Sequence, residues 1–182
     1  MTKASSSESL PPLQRSIVVP LSVADAFDLF VRRLPEWWPL STRSVWLEDA
    51  ASCHVEPRVG GRLFERSRAG EESDWGRFRL FDEPTRVVFS WHPGQPDSSA
   101  TEVDVTFRAL EGAANVTTVS LEHRDWERLG ERASFVRGLF AGGWGGVLAR
   151  FEALANGKTE LPPVVGPGCT DAAPTDGHAE DA

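Results

Sequence analysis

Residues 101–123, TEVDVTFRALEGAANVTTVSLEH, contain two stretches in which apolar and polar residues alternate, separated by a turn at Gly112. Alternation with a period of two is typical of a strand that buries one face, and a glycine between two such stretches marks a hairpin. The segment therefore predicts an antiparallel hairpin whose apolar face must be covered by another layer of the protein. The positions expected to point inward are Val103, Val105, Phe107, Val119, Leu121 and His123.

The chain on the N-terminal side of this hairpin repeats the pattern of short strands and turns. Turns such as Gly60-Gly61 and Pro93-Gly94 separate stretches that are rich in β-branched and aromatic residues. Short strands at near-regular spacing predict an antiparallel meander, and one more strand, closed by Pro20, precedes it. The predicted strands cover residues 15–20, 51–57, 62–66, 75–81, 85–92, 101–110 and 115–123.

Two regions have helical periodicity instead. Ser22 is a suitable N-cap, and apolar residues follow it at helical spacing as far as Pro35, which predicts a helix directly after the first strand. Residues 36–38 form at most one further helical turn. Residues 131–155 contain an apolar stripe at i, i+3 and i+4 spacing, which predicts a long C-terminal helix. The predicted fold class is α+β: a curved antiparallel sheet of about six to seven strands wrapped around a long C-terminal α-helix, with short helices after the first strand.

The first half of the predicted C-terminal helix contains an unusual number of glycines. Each glycine inside a helix costs about 1 kcal/mol relative to alanine. The run predicts a kink, a helix that begins only near Gly143, or a mobile entrance to a pocket; close packing against a neighbour is the alternative explanation. The glycines are Gly138, Gly142, Gly143, Gly145 and Gly146.

Length and composition indicate one globular domain between two tails. The chain has 182 residues, of which 40% are hydrophobic and 25% charged. Residues 1–13 are Ser-rich and residues 157–182 are acidic and rich in Pro and Gly, so neither segment has enough apolar surface to offset its chain entropy. We expect a folded domain over residues 14–156, with disordered tails at 1–13 and 157–182.

Charge and cysteine content exclude several classes of partner. The net charge of −8 disfavours nucleic acids and anionic membranes, since both require a basic surface. No apolar run reaches about 18 residues, and residues 1–13 lack the apolar core of a signal peptide. Cys53 and Cys169 are too few and too far apart for a disulfide framework, which favours a cytoplasmic location.

The sequence contains no recognisable catalytic or metal-binding motif. The spacing of His54, His92 and His123 matches no metal-ligand pattern, so no metal and no cofactor is expected. No nucleophile elbow or phosphate-binding loop occurs, and we assign no catalytic residue. His123 is expected on the inner face, either as a hydrogen-bonded core residue or as a polar group that orients a ligand carbonyl or hydroxyl.

The predicted strands carry several arginines, Arg58, Arg62, Arg66, Arg77 and Arg79 among them. Alternating charge usually means a solvated face. An inward-pointing Arg77 or Arg79 would instead bind a ligand carboxylate.

The aromatic residues suggest an apolar interior of unusual size. The chain has seven Trp and ten Phe but no Tyr. So many large rings between one sheet and one helix require either a very full core or a cavity. We predict a cavity whose walls are Phe27, Phe30, Trp37, Trp38, Phe64, Phe78, Phe89, Trp91, Phe107, His123, Trp144 and Leu148.

Several stretches, in this order, resemble a known family. They are residues 17–27 (IVVPLSVADAF), 37–39 (WWP), 58–64 (RVGGRLF), 75–78 (WGRF), 84–91 (PTRVVFSW) and 143–144 (GW). Together they are similar to the SRPBCC (START/Bet v 1-like, helix-grip) superfamily, in the branch of the C-terminal domain of the activator of Hsp90 ATPase. The resemblance covers about residues 15–155.

The resemblance implies a deep, mainly apolar cavity between the sheet and the long helix. Superfamily members bind lipids, sterols, polyketides or plant hormones there, and a minority are cyclases or aromatases. The namesake domain instead contacts Hsp90, and from these 182 residues we expect no counterpart of that protein's separate N-terminal Hsp90-binding domain.

Three functions remain open, because a fold does not determine a function. The leading prediction is a non-enzymatic protein, monomeric or homodimeric, that binds a small hydrophobic or aromatic molecule. The first alternative is an interaction module that contacts a chaperone. The second is a polyketide cyclase or aromatase in which His123 or an inward arginine polarises a carbonyl.

Overall fold

The protein is described by a computed structural model over residues 10–165. Its seven strands form one antiparallel sheet in the order β1-β7-β6-β5-β4-β3-β2, so β1 and β2 are the two edges. This confirms the predicted curved sheet and the α+β helix-grip class. The strands are β1 (Leu13–Val19), β2 (Ala50–Val55), β3 (Arg62–Ser67), β4 (Glu72–Asp82), β5 (Arg86–Trp91), β6 (Thr101–Leu110) and β7 (Ala113–Arg124).

Three helices cover the inner face of the sheet. They are α1 (Val23–Val31), α2 (Leu34–Trp37) and α3 (Ala133–Ala155), and short 3₁₀ segments lie at Leu47–Asp49, Asp97–Ser99 and Trp126–Arg132. The register of the opening hairpin is as expected from alternation, with Val105 opposite Leu121 and Phe107 opposite Val119. The apolar side chains of these strands and helices form one hydrophobic core.

Local sequence determines where α1 begins and ends. The Ser22 hydroxyl accepts a hydrogen bond from the backbone N–H of Asp25 at 3.1 Å, which confirms the predicted N-cap. The helix ends at Val31, earlier than its apolar spacing suggested. A separate short turn then begins at Leu34 with Pro35 in its first turn, where proline is tolerated.

The long helix α3 is continuous from Ala133 to Ala155, so the predicted kink and late start are wrong. Gly138, Gly142 and Gly145 lie on the exposed side, and a Cβ atom added at any of them would meet nothing within 4 Å. The opposite side carries the apolar stripe and is buried. Burial of that stripe outweighs the low helical propensity of the glycines, as tertiary packing commonly does.

The folded region extends beyond residue 156, where the sequence predicted a disordered tail. Residues 158–165, which we call the C-terminal strap, follow α3. Val164 is 7% exposed and packs against Gly146, whose missing side chain leaves the space. Arg150 donates from Nη1 to the Pro162 carbonyl and from Nε to the Trp37 carbonyl, both at 2.9 Å, and so joins the strap to α2.

The remaining tail predictions fall on residues 1–9 and 166–182, which lie outside the described residues. Leu10 packs against the core before β1 begins, inside the segment predicted to be a tail. Within residues 10–165, no helix is both long enough and apolar enough to cross a membrane.

Candidate functional site

The structure brings almost all of the predicted wall residues together on the inner face of the sheet. Only Phe64 and His123 lie outside the single hydrophobic cluster. His123 is fully buried and contacts this cluster through the rings of Trp126, Phe140 and Trp144, with ring centroids 4.1, 4.8 and 6.1 Å away. The residues in the cluster are Phe27, Phe30, Trp37, Trp38, Phe78, Phe89, Trp91, Phe107, Trp144 and Leu148.

Phe64 lies on the outer face, in contrast to its prediction as a cavity wall. Its ring stacks on His54, with centroids 4.9 Å apart, and the guanidinium of Arg62 lies 4.1 Å from its centroid. Leu63 and Glu65 take the inward positions of β3. The ring of Phe64 is therefore covered by stacking on His54 and by the cation–π contact with Arg62, both on the outer face of the sheet.

Four tryptophans surround Trp38 at the centre of the interior. Its ring centroid lies 5.2 Å from Trp75, 5.6 Å from Trp91, 5.9 Å from Trp37 and 6.2 Å from Trp144. The rings are tilted or edge-to-face, which are the arrangements that aromatic quadrupoles favour. The interior is thus a connected aromatic surface.

His123 is part of a hydrogen-bonded relay through this surface. The Trp144 indole donates to its Nδ1 at 3.1 Å, and Nε2 lies 2.7 Å from the Thr101 hydroxyl, which donates in turn to the Trp91 carbonyl at 3.0 Å. Because an indole N–H is only a donor, Nδ1 accepts and Nε2 carries the proton. Burial lowers the pKa of His123 from 6.5 to about 3, so the ring is neutral.

These contacts favour the interpretation of His123 as a hydrogen-bonded core residue over its interpretation as a polar group that orients a ligand. Both ring nitrogens have partners, as in a hydrogen-bonded core residue. The polar-group interpretation requires a ligand to replace one of these partners.

A small cavity lies between the α1–α2 corner and strands β3 to β5. Its volume is about 10 Å³, and every residue that lines it is apolar. That volume is close to the minimum for one water molecule, and apolar walls give a water no partner. A ligand-sized space forms only if side chains move. The lining residues are Phe30, Val31, Leu34, Leu63, Phe78, Val87 and Phe89.

Glu65 is a buried carboxylate that the sequence analysis did not identify. It is fully buried and accepts hydrogen bonds from the backbone N–H groups of Val45 and Trp46, at 2.7 and 3.1 Å, and from the Trp75 indole at 3.0 Å. Burial raises its pKa, and these donors oppose the shift. Its contacts fix the loop before β2 to the inner face. The signal available was its alternation with Leu63, which also places it inward.

Arg77 and Arg79 lie on the outer face, as the solvated-face interpretation expects, so the inward alternative is wrong. The Arg77 side chain is 51% exposed and pairs with Asp74 at 3.0 Å. The Arg79 side chain is 45% exposed, with Glu102 at 3.9 Å. Arg124 contacts Glu102 at 2.6 Å as part of a charged network on the same face. The interior therefore receives no arginine from β4.

Within the described part of the chain, no group of three or more His, Cys, Asp or Glu side chains is arranged to hold a metal ion. Cys53 is buried, and burial raises the pKa of its thiol to about 12. A thiol in that state is unreactive, because the thiolate is the nucleophile.

The family model described as activator of Hsp90 ATPase homolog 1-like protein matches residues 22–156. The chain belongs to this family. Among curated proteins, the search finds no match.

Solved structures of similar proteins share the fold of this member of the activator of Hsp90 ATPase homolog 1-like family. An anthrahydroquino-gamma-pyrone synthase is 30% identical, with 80% of this chain and 97% of that chain covered and a TM-score of 0.57. CalC, a self-sacrificing resistance protein from Micromonospora echinospora, is 26% identical over 82% of this chain and 97% of its own, with a TM-score of 0.56. The Aha1 dimer from Colwellia psychrerythraea is 15% identical over 83% and 100%, with a TM-score of 0.57, and supports the fold alone.

Proposed function

We propose that this protein binds a small aromatic molecule between the inner face of its sheet and its helices. The observation that carries the proposal is the interior itself, where aromatic rings in mutual contact surround a cavity with only apolar walls. Pockets for small apolar ligands are typically lined in this way, with few polar groups. The name of the 30% identical synthase describes a fused aromatic compound, and we carry that ligand class over to this protein.

Binding requires the interior to open. With a cavity of about 10 Å³, an incoming ring must displace Phe30 or Leu34 on the helical side, or Phe78 or Phe89 on the sheet. Removal of ligand apolar surface from water contributes about 25 cal/mol per Å², from which the costs of opening and association are subtracted. Ligand binding is thus coupled to a less populated open state, which lowers the apparent affinity.

We further propose that the role is binding without catalysis, in the cytoplasm. His123 is neutral with both nitrogens engaged, and Arg77 and Arg79 are exposed. Glu65 already accepts hydrogen bonds from Val45, Trp46 and Trp75. None of these described side chains therefore offers a free acid, base or cation to a molecule in the interior. The free thiol of Cys53 agrees with a reducing compartment.

The experiment is thermal denaturation of the whole chain with anthraquinone, together with native mass spectrometry of the purified protein. We expect the Tm to rise by about 3 °C when the ligand is at about ten times its Kd. A bound aromatic molecule in the mass spectrum would support the same conclusion. If a panel of fused aromatic compounds produces neither a Tm shift nor a bound species, the proposal is wrong.

Cyclase activity is the second candidate, favoured by the similarity to the synthase. It requires His123 to exchange its bond with Thr101 or Trp144 for one with a substrate carbonyl. Turnover of a polyketide substrate by the wild type, lost in His123→Ala, would replace the binding proposal with this one. The chaperone alternative rests on family membership, and stimulation of an Hsp90 ATPase by the purified chain is its test.

A further inference from the structure

The indole N–H of Trp91 has no hydrogen-bond partner within residues 10–165, although the side chain is only 4% exposed. Four other buried tryptophans, Trp37, Trp38, Trp75 and Trp144, are paired. Trp37 donates to the Leu29 carbonyl at 2.9 Å and Trp38 to the Arg43 carbonyl at 2.7 Å. A buried donor without an acceptor loses its hydration and gains nothing in return, so such a group in a native protein calls for an explanation.

The surroundings of Trp91 supply no substitute acceptor. Its neighbours are the rings of Trp38, Phe89, Trp75 and Trp144, with centroids 5.6, 5.8, 5.8 and 6.1 Å away. Ring faces are weak acceptors. The adjacent cavity is apolar and gives a bridging water no second partner.

The rest of Trp91 is held firmly in place. Its carbonyl accepts the end of the His123–Thr101 relay at 3.0 Å, and its backbone is paired with Thr101 of β6. The four neighbouring rings pack against the indole itself, so its N–H is presented from a defined position. A donor fixed in advance selects among ligands more strongly than one on a mobile side chain, since less freedom is lost on binding.

Trp91 is also next to the place where we propose that the ligand enters. Phe89 lies two residues earlier on the same face of β5, contacts Trp91, and lines the cavity. Trp126 is the other buried tryptophan without a partner for its N–H. Its ring contacts are with His123 and Phe140, neither of which lines the cavity. The position of the donor distinguishes Trp91 from Trp126.

We propose that the Trp91 indole N–H donates a hydrogen bond to an oxygen carried by the aromatic ligand, so that the protein selects ring systems bearing a carbonyl or phenolic oxygen over plain hydrocarbons. This inference rests on the proposed function and adds to it the residue that determines specificity. It also explains why the donor is unpaired in the ligand-free interior.

The test compares two ligands of similar ring framework, anthraquinone with its carbonyl oxygens and anthracene without them. Affinities are measured by titration for the wild type and for Trp91→Phe, with Trp126→Phe as the matched control. We expect the wild type and the control to prefer anthraquinone by about 3- to 10-fold more than Trp91→Phe does, the range expected for one hydrogen bond. The affinity for anthracene should be similar in all three proteins.

A second measurement covers the case in which Trp91→Phe does not fold. Replacing Trp91 by 3-benzothienylalanine exchanges the N–H for sulfur at nearly constant shape, and should remove the same preference. In the wild type, the indole N–H resonance of Trp91 should move downfield with anthraquinone and stay in place with anthracene.

The outcomes separate the inference from the proposed function. If neither ligand binds the wild type, the proposed function fails and this inference falls with it. Two results would show that the protein binds aromatic ligands but that Trp91 does not select them. One is a preference for anthraquinone that persists after the Trp91 N–H is removed. The other is a Trp91 indole N–H resonance that does not move when anthraquinone binds.

Discussion

At the scale of single residues, the alternation of apolar and polar residues along a strand predicts which side chains are buried. Val103, Val105 and Phe107 are buried as their spacing predicts. Phe64 was assigned to the cavity wall because of its ring, although the inward side chains of Leu63 and Glu65 leave Phe64 on the opposite face of β3. The irregular pairing of β3 with β4 places its extra residue, Trp75, in β4 and leaves the alternation of β3 intact.

His123 gives the first prediction. Its folded pKa, about 3, lies below its ordinary value of 6.5 because burial disfavours the charged ring. The unfolded chain therefore binds more protons in this window, and the free energy of unfolding falls as the pH drops through it, by at most about 1.4 kcal/mol per pH unit. His123→Gln breaks the relay but removes this titration, so the wild type should lose its advantage over the variant as the pH falls.

Chemical denaturation of both proteins at about pH 7 and about pH 4.5 checks this expectation, because the carboxylates that also titrate are common to both. An equal difference in stability at the two pH values would mean that His123 titrates normally and is not buried as described.

At the scale of elements, α3 and the strap show how packing overrides local preference. Glycines alone predicted an interrupted helix, and proline-rich composition alone predicted a disordered tail. One glycine of α3 and the order of the strap are directly connected, because the absence of a side chain at Gly146 leaves room for Val164. Arg150 holds the strap by donating to the Pro162 carbonyl, and the same side chain donates to the Trp37 carbonyl of α2. The second of these bonds joins residues far apart in sequence, so it cannot be inferred from composition.

Glycine-to-alanine substitutions provide a matched pair for the second prediction. At Gly138 a Cβ atom meets nothing within 4 Å, so Gly138→Ala should stabilise the protein by about 0.5–1 kcal/mol through helix propensity. At Gly146 the Cβ would lie 3.1 Å from Val164 Cγ1, so Gly146→Ala should gain less or destabilise. Urea denaturation measures both. Equal stabilisation at the two sites would show that the strap does not rest on Gly146.

At the scale of the whole molecule, the structure has the helix-grip architecture that the resemblance implied, with a filled interior. Packing of this kind depends on ring orientations that no sequence pattern specifies. Trp75 and Phe78 both point inward although three residues apart, because the pairing of β4 with its neighbours is irregular. The residues that form the interior could be predicted from sequence, whereas the free space between them could not.

Enlarging the cavity is the third prediction. Leu63 lines it and is 2% exposed, so Leu63→Ala should lower the free energy of unfolding by about 2–5 kcal/mol and leave a larger space. Because less of the interior then has to open, the variant should bind anthraquinone more tightly. Leu80→Ala, at a position 37% exposed, is the control that should change neither quantity appreciably. Calorimetric titration that finds the same Kd in all three proteins would place the ligand elsewhere.

The relay from Trp144 through His123 and Thr101 to the Trp91 carbonyl links α3 to β7, β6 and β5. If α3 packed through apolar side chains alone, several rotations about the helix axis and shifts along it would have similar energies. The hydrogen bond from the Trp144 indole to His123 favours one orientation of the helix. In any other orientation the buried imidazole nitrogen would have neither this partner nor water. The relay thus determines the rotation and axial position of α3 on the sheet. It can lie in an interior without water because the ring of His123 is neutral.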